Sequence, residues 1–212
     1  MILPLTRHVL DSALRQQQAW RHEGVADLRV CVNLAPRCLR WEGLVDAVAA
    51  SLAGSDAAPD RLVLEVGEDA LADLAPVGSR VRALRLLGVD VALDGFGASS
   101  VSLSRLRRLP LSLLKIDRGF IADLAREERD RAILRTIVAL GRNLGLKPTA
   151  HGIETAEQLA ILRRLGCVWG QGFLFARPMP AAALSAWLEV WAERRRIRPT
   201  DDLLRLEGRH LV

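Results

Sequence analysis

Lysine is almost absent from this chain. Lys115 and Lys147 are the only two, so the formal net charge of +5 rests almost wholly on arginine. The arginines are scattered along helical segments, apart from Arg194–Arg198. Aromatic residues, at 4% of the chain, are too few to stack a run of bases. A nucleic-acid polymer is therefore not expected as a partner, and Arg194-Arg195-Arg196 reads as a solvated helix end favoured by the macrodipole. Cysteine is scarce too: Cys31, Cys38 and Cys167 are odd in number and form no C-x-x-C pair. That argues against a disulfide framework and a zinc site and leaves buried thiols. No apolar run reaches the ~18 residues of a membrane span. Met1-Ile2-Leu3-Pro4 lacks the basic region and apolar core of a signal peptide, so a cytoplasmic protein is expected.

What the chain does have is a repeated event, in which an apolar run ends on a polar or charged side chain. Val91-Ala92-Leu93-Asp94 breaks into Gly95-Phe96-Gly97; Val30–Ala35 carries Asn33, Leu62–Val66 carries Glu65, and Leu113–Asp117 carries Lys115 and Asp117. Continuous apolar runs of this length suit parallel strands buried on both faces. Helical patterns separate them, at 4–23, 42–52, 77–87, 99–108, 120–144 (broken near Arg126), 156–165 and 181–196. Further strands are expected at 148–153 and 167–173. Six strands alternating with helices mean βα units and a parallel sheet. Because the strands end one after another in ligand-type residues, a (β/α) barrel is favoured over a doubly wound sheet. A closed barrel of eight units usually needs about 250 residues, so about six of the eight are expected, with two strand edges left for a protein partner or for self-association.

Asn33, Glu65, Asp94 and Asp117, gathered at strand ends, would offer oxygen donors to a hard cation such as Mg²⁺ or Mn²⁺. Paired ions of this kind catalyse phosphodiester hydrolysis. Singly, such acids more often cap the next helix; four in register favour a site. Lys115, two residues before Asp117, should point to the same side and hold a water or phosphate oxygen, or simply compensate charge. Glu154 and Gln171 close the last strands. His151, at another strand tip, suits a base or a soft-metal ligand, though a lone histidine is more often structural. Gly95-Phe96-Gly97 lacks the third glycine of a dinucleotide-binding loop.

In their order these motifs resemble the EAL family of bacterial cyclic-di-GMP phosphodiesterase domains. Asn33-Leu34-Ala35 resembles the family's N-L-S, Leu64-Glu65-Val66-Gly67-Glu68 its L-E-I-T-E, and Ala92-Leu93-Asp94-Gly95-Phe96-Gly97 its A-L-D-D-F-G. Leu114-Lys115-Ile116-Asp117-Arg118 matches L-K-I-D-R. Ala150-His151-Gly152-Ile153-Glu154-Thr155 resembles A-E-G-V-E-T, and Gln171-Gly172-Phe173-Leu174-Phe175 belongs to the closing segment. The resemblance implies a modified TIM barrel over 1–196, followed by a polar tail at 197–212 whose Leu203-Leu204 could dock back. It implies Asn33, Glu65 and Asp94 as ligands of Mg²⁺ or Mn²⁺, Asp117 in the metal and water network, Lys115 on the attacking water, and Glu154 and Gln171 in support. It also exposes departures. The glutamate of the E-A-L signature belongs to a strand expected upstream of Met1, the second aspartate of D-D-F-G is Gly95, and the first glutamate of A-E-G-V-E is His151. The expectation is a degenerate, truncated, catalytically inactive domain of cyclic-di-GMP signalling, acting in protein interaction or nucleotide sensing. The alternative is a residual metal-dependent phosphodiesterase that converts cyclic di-GMP to pGpG.

Overall fold

A computed structural model gives the structure, describing residues 2–24, 28–72, 74–98, 102–125, 127–167 and 169–197. Six strands form one parallel sheet in sequence order: β1 (Val30–Leu34), β2 (Leu62–Gly67), β3 (Asp90–Phe96), β4 (Leu113–Ile116), β5 (Lys147–His151) and β6 (Trp169–Gln171). Each strand returns to its neighbour through helix, as parallel pairing demands. The architecture is an incomplete TIM barrel with flanking helices.

Strand periodicity sorts the side chains onto two faces. On the outer face Val32, Leu34, Leu62, Leu64, Val66, Val91, Leu93, Leu114 and Ile116 join the main core. There they meet α1 (Ile2–His22), α3 (Leu44–Ser55), α4 (Leu74–Leu86), α7 (Glu128–Asn143) and α8 (Ala156–Arg164). On the inner face Val63, Ala92 and Leu113 form a small cluster of their own, with Cys31 against it. The registers Asn33↔Glu65, Gly67↔Asp94, Lys115↔Thr149 and His151↔Gln171 place the polar residues one layer above that cluster, at the strand C-terminal ends.

Short helices and caps set the loops that follow the strands. Pro36 opens α2 (Pro36–Leu39), and the Ser102 hydroxyl accepts the Ser104 N–H at the start of α5 (Leu103–Leu106). A capping box holds α8: Thr155 Oγ1 accepts the Gln158 N–H, while Gln158 Oε1 accepts the Glu154 and Thr155 N–H groups. The Gln158 amide also donates to the Ile121 carbonyl at 3.0 Å, tying α8 to α6 (Gly119–Ala122).

Several expected boundaries move. The helix expected over 99–108 contracts to α5, its first residues lying outside the described ones. The helix expected over 120–144 is two helices, α6 and α7, and Arg131 Nε donates to the Leu124 carbonyl to brace the segment between them. Arg126, the expected break, lies outside the described residues, as does the tail beyond Ile197 with Leu203 and Leu204. Gly54 and Ser55 belong to α3 rather than to a loop, with Asp56 in the left-handed conformation ending the helix. The final helix, α9 (Ala181–Ile197), carries an aromatic face: Trp187 and Trp191 stack, and Phe175 meets Trp191 edge-on. No helix among the described residues is long and apolar enough to cross a membrane.

Candidate active site

At the centre of the inner face lies a buried ion pair. Lys115 Nζ donates to Glu65 Oε2 at 2.6 Å, and both side chains are about 5% exposed. The same ammonium lies 3.4 Å from Asp94 Oδ1, whose side chain is 33% exposed. Strand alternation brings Glu65 and Lys115 inward from β2 and β4. Asp94 reaches them because β3 bulges there. The register passes from Leu93↔Leu114 to Phe96↔Ile116, so that Asp94 and Gly95 together oppose Lys115. Gly95 has φ +71°, the left-handed conformation a glycine adopts without steric cost, and a Cβ built on it would point into open space.

Burial disfavours a charged Lys115. The Glu65 carboxylate, its hydrogen bond and Asp94 outweigh that, so the ammonium is held above its usual range. Cys31, the next inward residue below Asn33, has its thiol pushed strongly upward by burial and by the Glu65 charge, which keeps it protonated. Burial also pushes the Cys167 thiol up, to about 11. All three cysteines are free, as expected of isolated thiols.

The remaining expected site residues are less concentrated. Asn33 is on the correct face but exposed, and Asp117 lies one residue past the end of β4. Its Oδ1 accepts the Gly119 N–H at 2.8 Å, the helix-start role open to any strand-end acid. His151 ends β5, half-buried, and its imidazole makes no hydrogen bond to a described residue. Glu154 is exposed three residues beyond β5. Gln171 ends β6 opposite His151, and its buried Oε1 has no partner among the described residues. Its backbone carbonyl accepts the Gly152 and Ile153 N–H groups, and Gly172 passes so close to the Ile153 backbone that a side chain there would collide.

Two contributors were not singled out from sequence. Glu68 Oε1 accepts the Gly97 N–H at 3.0 Å and so fixes the loop after Asp94. Its place three residues after Glu65, at the start of the next turn, was the available signal. Thr149 occupies the inner layer beside Lys115, where inward parity alone could have found it.

Of the residues implied for Mg²⁺ or Mn²⁺, the structure brings Glu65 and Asp94 together around Lys115. Glu65 and Asp94 share one ammonium, Asp117 is turned to Gly119, and Gly95 and His151 supply no carboxylate. Among the described residues no group of three or more His, Cys, Asp or Glu is arranged to hold a metal ion.

The barrel, its strand-tip acids and lysine, and their order are those of an EAL-type domain. The EAL domain model matches residues 1–178, and the chain belongs to the EAL family. It is 45% identical over 187 residues to the bifunctional diguanylate cyclase/cyclic di-GMP phosphodiesterase MucR of Pseudomonas aeruginosa, covering 88% of this chain and 27% of that protein. It thus spans about a quarter of that relative's length. The solved MucR phosphodiesterase in complex with c-di-GMP superposes with a TM-score of 0.81, over 86% of this chain and 74% of that one. The EAL domain of Mycobacterium smegmatis DcpA is 33% identical and gives a TM-score of 0.84, over 88% and 84%. A manganese/cyclic-di-GMP complex of Klebsiella pneumoniae BlrP1 is 27% identical, with a TM-score of 0.74 over 82% of this chain and 44% of that one.

Proposed function

We propose that this chain is a non-hydrolysing EAL domain that binds cyclic di-GMP as a signal rather than consuming it. The observation that carries the reading is that the Glu65 carboxylate is hydrogen-bonded to Lys115 and Asp94 lies in longer ionic contact with the same ammonium, while the tips of β3 and β5 present Gly95 and His151 in place of further acids. Metal-assisted phosphodiester hydrolysis needs carboxylates to hold ions that activate water and neutralise the phosphate. Removing one member of such a unit typically costs orders of magnitude in rate, and losses within the unit do not add.

Binding asks less of the same surface. The exposed Arg118, just after β4, offers a guanidinium to a phosphate. The likeness to a relative solved with c-di-GMP supports that ligand. The domain would act within the cytoplasm, and its output would pass to a protein partner.

Two measurements on the purified chain test the reading. Incubation with cyclic di-GMP and Mn²⁺ should release no pGpG, and calorimetry should give saturable cyclic di-GMP binding. Steady pGpG production would instead establish the residual phosphodiesterase, with Asn33, Glu65, Asp94 and Asp117 as its metal residues. Absence of heat at high protein concentration would turn the reading to a protein-interaction module. One feature favours that second role: Ile2, Leu5 and Val9 form an exposed apolar stripe on α1, at 38%, 54% and 42% exposure.

A further inference from the structure

The two carboxylates at the heart of the site already have a cation. We propose that the Lys115 ammonium is the resident cation of this domain, seated between Glu65 and Asp94 in place of a divalent ion, so that ligand binding proceeds without metal and a metal enters only when that ammonium is removed.

Geometry and charge carry the inference. The ammonium touches Glu65 at 2.6 Å and Asp94 at 3.4 Å, joining both strands that would have to supply ligands to an ion. Of the three N–H groups of the ammonium, one is given to Glu65, and Asp94 Oδ1 lies in ionic contact beside it. The trio sums to one negative charge, which a single cationic side chain goes far toward balancing without an ion drawn from water. Motif acids at the positions of Gly95 and His151 would add two negative charges; their absence removes the excess that recruits a divalent ion. The bulge at Asp94-Gly95 aims Asp94 at the lysine, and Glu68 locks that loop through Gly97. The lysine is pinned by packing too, since its side chain is 5% exposed among inner-face residues.

Thermal unfolding of the whole chain with Mn²⁺ or EDTA tests this directly. The wild type should show the same Tm in both. Lys115→Met should unfold at a lower temperature in EDTA and regain several degrees with Mn²⁺, saturably. The double variant Lys115→Met/Asp94→Asn should lose that recovery. Saturable stabilisation of the wild type by Mn²⁺, or a folded Lys115→Met that ignores the ion, would overturn the proposal. Should Lys115→Met fail to fold, equilibrium dialysis of the wild type against Mn²⁺ decides: less than one tight ion per chain supports the proposal, and one or more refutes it.

The ligand half rests on the cyclic di-GMP reading above, and calorimetry separates the two. Equal Kd in EDTA and in Mn²⁺, within a factor of about three, supports both. Heat only with Mn²⁺ refutes the resident-cation proposal and leaves sensing intact. Heat in neither refutes sensing, while the thermal arms still decide what Lys115 does.

Discussion

The two ends of the barrel interior carry ion clusters of opposite stoichiometry. At the N-terminal end of the strands one carboxylate serves two cations: Asp90 Oδ2 accepts from Arg29 at 2.9 Å, and Asp90 Oδ1 accepts from Arg85. At the C-terminal end one cation serves two carboxylates, Lys115 between Glu65 and Asp94. The apolar layer of Val63, Ala92 and Leu113 lies between them on the inner face. The lower cluster uses both oxygens of its acid and binds β3 to the start of β1 and the end of α4. The upper one leaves a long contact at a one-third exposed aspartate. A net-positive cluster whose acid has both oxygens filled reads as architecture. A net-negative, open one is where a ligand can still change the balance.

The comparison breaks most sharply at Lys115. Lys115→Met strands the Glu65 carboxylate in an interior site, and breaking a buried pair from one side costs about 3–5 kcal/mol. Urea unfolding should show a loss of that size at neutral pH. At the other end, Asp90→Asn keeps one acceptor but removes the charge that two arginines share, a loss of about 2 kcal/mol. It should show no response to Mn²⁺. A metal response there would erase the distinction between the two ends.

Much of this was legible in the chain. Apolar runs ending in Asn33, Glu65, Asp94 and Lys115 gave the strands, their order and the inward face, because a parallel sheet buried on both sides enforces that pattern. The chemistry between those residues was less legible. That Lys115 would sit on Glu65 and Asp94 together depends on a one-residue bulge, and a bulge is a matter of register between strands some twenty residues apart. Asp117 illustrates the limit from the other side. Its spacing from Lys115 put it on the same strand face, yet β4 ends at Ile116 and the carboxylate turns to cap Gly119. Glu154 is likewise displaced from the strand end, because β5 stops at His151 and the capping box of α8 takes over the chain.

Alkaline pH sharpens the comparison by part of the energy seen with Lys115→Met. The folded Lys115 holds its proton above the ordinary 10.5. Its contribution is therefore complete below pH 10.5 and is lost as pH rises through the higher folded value. Cys31 and Cys167 act in the same direction from their ordinary 9.0 upward, since burial keeps both thiols protonated in the folded state. Subtracting the stability of Lys115→Met from that of the wild type across this range cancels the Cys167 contribution and reduces that of Cys31. The remaining gap should narrow above pH 10.5. A gap that stays constant through pH 12 would mean the lysine is not bound by charge.

The smallest effect belongs to Gly95, the residue that lets Asp94 lean toward Lys115. Its positive φ makes any side chain costly, while the open space beside it removes any clash. Gly95→Ala should therefore cost about 1 kcal/mol, from backbone conformation alone. Gly95→Asn should cost less, because asparagine tolerates the left-handed region. This pairing isolates the bulge from the chemistry, since neither variant adds a charge. If both variants instead lose as much stability as Lys115→Met, the bulge cannot bear a side chain at all. The glycine would then be a requirement of the fold, not a place where an acid could stand.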